Sequence, residues 1–421
     1  MGGKRISRRK FIQGASAAAA AGALLPACGN ETPAADSGPD GLLDGDPWPD
    51  GDLTPDGDVG PDGDTDDDVL PEDGYADRRV VRVYDRRVTS YGFEADEACW
   101  QAIDPNVLRE MLERGLVELA RQPSIAAAWR ALLPGDLGSA AIAIKVNMNG
   151  DDPGFINTSP AMVIALAGSL IDAGASAERL TFFDCSRAYH EPYREAIRAV
   201  LPDVVLLGGG EVELHETEII TASSMLREDA TAVTVPAPVC LVEADHLLNV
   251  HMLKGHFGGA TGAMKNLFGL ARNVGATFHG SGASRYELGS QCADLAAEPL
   301  VRSRSRLLIS EGVYGTWWHA NKPPDRFRNA DLFPDGLPCT LTLSRNPLYH
   351  DTVLYDLLAA ERDYAPLGEG YDTYPDDWLE HCAGSPYELG DFAHATLIEG
   401  TFTARDLAYG HIDYRSLSTE A

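Results

Sequence analysis

Short apolar runs alternate with helical segments between residues 140 and 208, and this alternation constrains the fold more than any other feature. Ser159 and Pro160 suit the cap and the first position of one helix, and Gly174 suits its end. In chain order the segments are a strand at 140–147, a helix at 160–173, a strand at 179–183, a helix at 191–200 and a strand at 203–207. This order predicts βαβ units and a mainly parallel sheet.

The same alternation continues towards the C-terminus. Residues 78–421 are therefore predicted to form a single α/β domain, in which helices flank a mainly parallel sheet in Rossmann-like layers. Residues 78–138 are predicted to be a mostly helical lead-in to this domain. Further strands are expected near 231–235, 245–250, 306–310 and 339–344, and further helices near 260–271, 284–297 and 350–360.

Residues 1–28 have the features of an export signal. They carry five basic residues and no acidic one, and they contain a mild apolar run at 14–27, which is shorter than the roughly 20 residues that span a bilayer. Arg8 and Arg9 resemble the twin-arginine translocation motif, and Leu25-Pro-Ala-Cys28 resembles a bacterial lipobox, in which Cys28 is lipidated. We expect a periplasmic protein with a lipid anchor in a bacterial membrane. The alternative is an ordinary secretory signal with a small-residue cleavage site.

Residues 29–77 are predicted to be a disordered acidic tether. They hold 17 Asp and Glu and no Lys or Arg, and Pro-Asp-Gly-Asp recurs in them with a period of six. Such a segment lacks the apolar surface that offsets the entropy of ordering, and its like charges extend it. A weak calcium-binding repeat is the alternative, because clustered Asp carboxylates suit a hard cation.

The net charge of -30 argues against nucleic acid as a partner, because a strongly negative protein repels phosphate backbones. The charge is uneven, however. The signal is basic, the tether holds 17 of the acidic residues, and residues 78–421 carry a net charge of -18. Small anionic ligands are not excluded, since several lysines fall in the loops where a ligand would bind.

Ligands of parallel α/β sheets bind beyond the carboxyl ends of the strands. Residues 251–269 follow the strand near 245–250 and hold five glycines, two lysines and two histidines. Thr261 and Lys265 are four residues apart and are expected to share one helical face. The predicted anion-binding residues are Lys145, Asn147, Lys254, Thr261 and Asn266, and the predicted catalytic residues are His256, Lys265, Asp184 and Asp351.

A family resemblance is carried by the same stretch. Asn249-Val-x-x-Leu-Lys254-x-His256, followed by Thr261-x-x-x-Lys265-Asn266-Leu-Phe-Gly269, resembles the signature of the domain of unknown function 362 family. The resemblance covers about residues 140–400 and includes Lys145-x-Asn147 and Asp184. It implies the fold and the position of the site. It implies no reaction, because the activity of the family is not established.

The chain departs from the family pattern at three positions. Asn346 and Tyr349 stand where the family has Asp and Ala, and Glu311 stands where it usually has Asp. The side of the binding site that these positions form is therefore expected to differ from that of other family members. Many members carry a fused iron–sulfur ferredoxin module, which we do not expect here because the sequence contains no Cys-x-x-Cys.

The sequence contains no compact metal-binding motif, so we assign no metal ligands and leave the cofactor open. Residues such as His251, His350 and Glu311 could supply a metal site with both nitrogen and oxygen ligands. A lone histidine, however, is more often packed or hydrogen-bonded than bound to metal. Six widely spaced cysteines follow Cys28, and one or two disulfides are compatible with an oxidising compartment, but the spacing fixes no pairing.

Two functions fit these features. The leading hypothesis is an exported enzyme that acts on a small anionic molecule through the Lys/His/Gly-rich loop between strand and helix. The alternative is a non-catalytic, lipid-anchored protein that binds a ligand or a cofactor. The two hypotheses differ at His256, because a binding protein needs the lysines but needs no general acid or base.

Overall fold

The computed structural model describes the following residues: 70–93, 98–148, 150, 152–223, 232–256, 259–272, 288–317, 322–364 and 377–420. They belong to one compact unit, Gly63–Ala421. Arg8, Arg9, Cys28 and the tether up to residue 69 lie outside the described residues, so the signal, the lipid anchor and the tether stay predictions. Within the described residues, no helix combines the length and the apolar character that crossing a bilayer requires.

The strands and helices of the described residues are numbered in chain order. The strands are β1 (Arg79–Tyr84), β2 (Ile142–Lys145), β3 (Leu180–Asp184), β4 (Val205–Gly208), β5 (Leu214–Ser223), β6 (Ala232–Pro238), β7 (His246–His256), β8 (Gly259–Thr261), β9 (Ser305–Thr316), β10 (Thr340–Ser344), β11 (Thr396–Glu399), β12 (Arg405–Ala408) and β13 (Asp413–Ser418). The helices are α1 (Pro105–Ala120), α2 (Ile125–Leu132), α3 (Pro160–Asp172), α4 (Glu191–Val200), α5 (Val239–Val242), α6 (Ala263–Asn266), α7 (Leu288–Ala297), α8 (Pro299–Arg302), α9 (Pro347–Tyr364) and α10 (Asp377–Ala383).

One large sheet organises the described residues. Its order is β13-β1-β10-β9-β7-β2-β3-β4, and β8 pairs with the end of β7. The neighbours from β9 through β7, β2 and β3 to β4 are parallel, as are β1 and β13, whereas β10 runs antiparallel to both β1 and β9. The prediction of an α/β fold with a mainly parallel sheet is therefore confirmed.

Helices cover the sheet on both faces. Leu248, Val250 and Met252 of β7 pack in one apolar core with residues of α1 to α4, whereas Leu247 and Leu253 pack in a second core with residues of α6, α7 and α9. Because alternate residues of a strand point to opposite faces, these two cores are the two layers on either side of the sheet. The layers leave the carboxyl ends of the parallel strands as the place where polar residues meet.

The predicted start of α3 is confirmed. Pro160 is its first residue, and the Ser159 hydroxyl caps it by accepting from the backbone N–H of Met162 at 3.0 Å. A cap of this kind contributes about 1 kcal/mol and fixes where the chain enters the helix. The entry point matters because the loop from β2 to α3 leaves the sheet at Lys145.

The prediction of a mostly helical lead-in at 78–138 is wrong at its start. β1 lies inside the sheet, between β13 and β10, and all six of its residues are buried. Two of them are arginines, which are paired with acidic residues far away in the sequence: Arg79 with Asp413 at 2.6 Å and Arg82 with Asp406 at 3.4 Å. The run of Val80, Val81, Val83 and Tyr84 is a local sign of a strand, but the two arginines within it give no sign that the strand is buried, because their partners are remote.

The prediction of a continuous helix at 260–271 is also wrong. The strand β8 comes first, then the single turn α6, and then a 3₁₀ turn at Leu267–Leu270. Thr261 lies on β8 opposite Lys254 and does not share a helical face with Lys265. The long β7 offers an unpaired edge near its end, and pairing with that edge outweighs a helix start weakened by Gly259 and Gly262.

Residues 70–77, which their composition places in the tether, pack on the domain. The Tyr75 hydroxyl donates to the carbonyl oxygen of Ala296 at 2.8 Å. The buried carboxylate of Asp77 lies 3.1 Å from Arg121 and 3.6 Å from Arg345. The last acidic residues of the segment are thus ion-pair partners of the domain, and packing begins several residues before residue 78.

Candidate anion-binding site

The predicted site residues meet at the carboxyl ends of three adjacent parallel strands, β7, β2 and β3. Lys145 is the last residue of β2, Asp184 is the last residue of β3, and Lys254 lies near the end of β7. The strands that lead to these residues are buried on both faces, so the charged groups are held by a rigid support.

Lys145 is fully buried and is neutralised by Asp184. Its Nζ lies 3.0 Å from Asp184 Oδ2 and donates to the carbonyl oxygen of Val146 at 2.5 Å. The other Asp184 oxygen accepts from the backbone N–H and the hydroxyl of Ser186, at 2.8 and 2.7 Å. Loss of one partner of such a buried pair costs about 3–5 kcal/mol. Because both oxygens of Asp184 are occupied, its contacts favour a role in holding Lys145.

Gly269 allows this ion pair to form. A Cβ at this position would lie 2.5 Å from Lys145 Nζ and 3.2 Å from Asp184 Oδ1, so a larger residue would displace the pair. The carbonyl oxygen of Gly269 also accepts from the backbone N–H of Cys185 at 2.9 Å, which ties the loop after α6 to the end of β3. The glycine that closes the signature is therefore required by a close approach.

A chain of three asparagine amides connects the lysines. Asn266 Oδ1 accepts from Asn147 Nδ2 at 3.0 Å and lies 3.4 Å from Lys145 Nζ. Asn266 Nδ2 donates to Asn249 Oδ1 at 2.8 Å, and Asn147 Oδ1 accepts from Lys254 Nζ at 2.8 Å. Each amide oxygen in this chain faces a donor, so the amides have one satisfied orientation. The network joins β2, β7 and α6 into one unit.

Burial lowers the pKa of two lysines. For Lys254 the pKa falls to about 7, mainly through desolvation and further through the nearby charge of Lys265. Desolvation also lowers the pKa of Lys265, to about 8. A solvated lysine has a pKa of about 10.4. These two side chains can therefore gain and lose a proton near neutral pH, which a surface lysine cannot do.

Lys265 has no carboxylate partner among the described residues. It is 7% exposed, and its Nζ lies 5.2 Å from the centre of the Phe268 ring, in a cation–π contact. No described Asp or Glu forms an ion pair with it. A buried cation without a counter-charge is costly, so an anion that reaches Lys265 gains an interaction that the described part of the protein leaves unmade.

Glu311 of β9 is a fully buried carboxyl group next to this network. Its Oε2 accepts from the backbone N–H of Ser159 at 2.9 Å, whereas its Oε1 has no hydrogen-bond partner in the part of the chain that the structure describes. Burial raises the pKa of Glu311 to about 7, and the Ser159 hydrogen bonds and the charge of Lys254 offset this rise only in part. The pKa values of Glu311 and Lys254 thus fall in the same range, and the charge of each affects the titration of the other.

Asp351 of α9 holds the start of α6. Its Oδ1 accepts from the backbone N–H of Ala263 at 2.6 Å, and its Oδ2 accepts from that of Met264 at 3.0 Å. A Cβ at Gly262 would overlap the carboxylate, so only glycine fits there. Burial raises the pKa of Asp351 to about 7. Asp351 therefore fixes the position of α6 and, with it, of Lys265.

Thr261 and His256 lie on the β7–β8 hairpin. Thr261 pairs in register with Lys254, and its buried Oγ1 has no hydrogen-bond partner among the described residues. His256 is 8% exposed and lies two residues beyond Lys254, so on a regular strand its side chain points to the same face. The hairpin thus brings a hydroxyl group and an imidazole to the Lys254 side of the site.

The structure brings together most of the predicted site residues. Lys145, Asn147, Asp184, Lys254 and Asn266 form one hydrogen-bonded network. Lys265 lies close enough to this network for its positive charge to lower the pKa of Lys254. Asp351 does not contact these side chains and reaches the network only through the backbone of α6.

Two members of the site are absent from the predicted binding and catalytic residues. Asn249 occurs in the signature, but an asparagine within an apolar strand gives no sign of which side chain it meets. Glu311 stands where the family usually has Asp, and that position is the signal that could have marked it. Both residues are recognised only when β7, β9 and α6 are seen side by side.

The fold and the site define an α/β protein with a buried cluster of lysines, asparagines and carboxyl groups at the carboxyl edge of its sheet, where proteins of this class bind ligands. The model of a family described as Domain of unknown function (DUF362) matches residues 142–329. The predicted resemblance to the domain of unknown function 362 family is therefore confirmed over residues 142–329, a region that contains every site residue described above except Asp351. A search of curated proteins finds no match.

Glu311 makes the stability of the protein depend on pH, and its raised pKa gives the sign. The folded protein keeps the Glu311 proton up to about pH 7, whereas the unfolded chain releases it near 4.5. Between these values the unfolded state binds fewer protons, so the free energy of unfolding falls as the pH rises. In the wild type this decrease in the free energy of unfolding is on the order of 3 kcal/mol. We expect it to be absent in Glu311→Gln, because the glutamine cannot ionise, while its side-chain oxygen still accepts from Ser159.

Urea unfolding of the wild type and the variant at several pH values between 4.5 and 7.5 measures this effect. Glu243→Gln, at an exposed glutamate, is the matched control and is expected to keep the pH dependence of the wild type. An identical pH dependence in Glu311→Gln and the wild type would contradict the raised pKa of Glu311.

Proposed function

We propose that the protein binds a small anionic molecule at the lysine site and acts on it as an enzyme. The observation that carries this proposal is Lys265, a buried ammonium group without a carboxylate partner among the described residues. The ligand class follows from the donors: lysine ammonium groups, asparagine amides and the Thr261 hydroxyl suit a carboxylate or a phosphate.

Proton transfer is the chemistry that the site supports best. The pKa values of Lys254 and Glu311 are both shifted to about 7, which is the range in which general acids and bases are most effective. We assign Lys265 to the anionic group of the substrate, and Lys254, Glu311 and His256 to proton transfer. Lys145, Asn147, Asn266 and Asp184 hold these groups in place, and Asp351 positions α6.

A non-catalytic binding protein is the second candidate, and one observation favours it. Asp184 is paired with Lys145 and also accepts from Ser186, and Asp351 accepts from the backbone of α6, so the contacts of both carboxylates are those of groups that hold the structure of the site. If Glu311 and His256 are equally uninvolved, the lysines remain as a binding site alone. A lipid-anchored protein of this kind would deliver or retain an anionic ligand or a cofactor.

Replacement of Lys265 by methionine tests the binding step. We expect Lys265→Met to weaken the binding of inorganic phosphate or oxalate at least tenfold, about 1.4 kcal/mol, because it removes a buried ammonium group that has neither a carboxylate nor an amide partner among the described residues. Isothermal titration calorimetry gives the affinities. The matched control is Lys322→Met, since Lys322 is partly exposed and pairs with Asp325 at 2.6 Å. Equal affinities in Lys265→Met and the wild type would contradict the proposal.

Incubation with a mixture of anionic small molecules, followed by mass spectrometry, separates an enzyme from a binding protein. An enzyme consumes one component, and Lys254→Met or His256→Gln slows that consumption by about 10²-fold or more. A binding protein retains a component unchanged, and His256→Gln keeps its full affinity.

We also propose export by the twin-arginine route and a lipid anchor on Cys28. The support is the sequence Ser7-Arg-Arg-Lys-Phe-Ile12 before an Ala-rich run, and Leu25-Pro-Ala-Cys28 after it. The double substitution Arg8→Lys and Arg9→Lys is expected to keep the protein in the cytoplasm. Cys28→Ala is expected to release the exported protein from the membrane fraction. Cell fractionation and immunoblotting measure both effects. Normal export of the double-lysine variant would overturn the assignment of the route.

A further inference from the structure

A second cluster of polar side chains lies between β7 and α9. His251 of β7 and His350 of α9 are both fully buried, and their Nε2 atoms are 2.9 Å apart. Asp351 follows His350 in the chain, and one ligand atom from each of the three residues lies within 4.8 Å of the others. None of the three side chains hydrogen-bonds to a lysine of the anion site in the described part of the chain.

We propose that His251, His350 and Asp351 bind one divalent first-row transition-metal ion. Two imidazole nitrogens and one carboxylate are a ligand set that suits such ions. Two nitrogens 2.9 Å apart, each about 2.1 Å from a metal, subtend an angle of about 90° at that metal. This is the angle of six-coordinate geometry, so manganese, iron, cobalt or nickel fits better than tetrahedral zinc.

Asp351 has no positively charged partner among the described residues, and a metal ion would supply one. Its two oxygens accept from the backbone N–H groups of Ala263 and Met264, and no described lysine or arginine forms an ion pair with it. A buried carboxylate without a cation is costly. Each oxygen retains a lone pair after it accepts one N–H, so Asp351 can bind a metal ion and still hold the start of α6.

Neighbouring groups orient the imidazole of His251. Its Nδ1 lies 3.4 Å from the carbonyl oxygen of Met252, and an Nδ1–H that donates there leaves the Nε2 lone pair facing His350. Metal-binding histidines are commonly oriented in this way. Ser310, which pairs in register with His251 on β9, has a buried hydroxyl without a hydrogen-bond partner among the described residues. This hydroxyl offers a further oxygen beside the cluster.

The ion would join β7 to α9 and, through Asp351, to the start of α6. It goes beyond the proposed binding of an anion and does not depend on it, since the cluster contains none of the lysines and asparagines of the anion site, and Asp351 touches that site only through the backbone of α6. A direct hydrogen bond between the two imidazoles is the alternative, and the experiment distinguishes it from a metal site.

The test uses the untagged full chain, freed of metal by a chelator and dialysed against Mn²⁺, Fe²⁺, Co²⁺, Ni²⁺ or Zn²⁺ in turn. We expect one equivalent of at least one ion per chain, measured by mass spectrometry of the metal content. X-ray absorption of that protein should show two imidazole nitrogens in the ligand shell. The acidic segment 29–69 contains no histidine, so a signal from ions bound there contains only oxygen ligands.

Variants assign the ligands. His251→Gln and His350→Gln are expected to weaken metal binding at least about tenfold. His246→Gln is the matched control, because His246 is a buried histidine of the same strand that lies outside the cluster. Wild-type protein that retains no ion, or variants that bind as tightly as the wild type, would overturn the proposal. If a variant fails to fold, the wild-type spectrum decides: imidazole ligands support the site, and a shell of oxygen alone refutes it.

Discussion

The burial of the Lys145–Asp184 ion pair is the interaction on which the rest of the site depends. An ammonium group in an apolar interior is costly, and Asp184 offsets that cost only because β2 and β3 end side by side. The pair in turn fixes one end of the asparagine chain that leads to Lys254. The parallel sheet is therefore the support that allows several charges to be held at its edge.

The three buried lysines are compensated to different degrees. Lys145 has a carboxylate at 3.0 Å, Lys254 has an amide oxygen at 2.8 Å, and Lys265 has an aromatic ring and no described carboxylate. The positive charge that remains uncompensated is thus largest at Lys265, which the short helix α6 carries. This gradient of compensation gives a physical reason for an anion to bind at one end of the network.

Local sequence patterns were sufficient to predict the units from β2 to β4, because apolar periodicity and the Ser159-Pro160 cap act over a few residues. The rule that ligands lie at strand ends was sufficient to place Lys145 near Asp184. The burial of β1 inside the sheet was not predictable, since its arginines are balanced by Asp406 and Asp413 at the other end of the chain. The meeting of His251 and His350, which are 99 residues apart, also depends on tertiary packing alone.

The hairpin formed by β7 and β8 illustrates the same limit at short range. Thr261 and Lys265 have the spacing of a helical face, yet pairing with β7 places Thr261 opposite Lys254 instead. Tertiary pairing overrides helix propensity where glycines weaken the helix. The residue types of the site could therefore be predicted from the sequence, but the side-chain contacts among them could not.

Lys265 is a buried ammonium group without a carboxylate partner among the described residues, and its pKa tests this environment directly. ¹⁵N NMR of the lysine Nζ atoms, with Lys265→Met to assign the resonance, follows its titration in the ligand-free protein. Burial is expected to give a midpoint of about 8. A midpoint near 10.4, the value of a solvated lysine, would contradict the account.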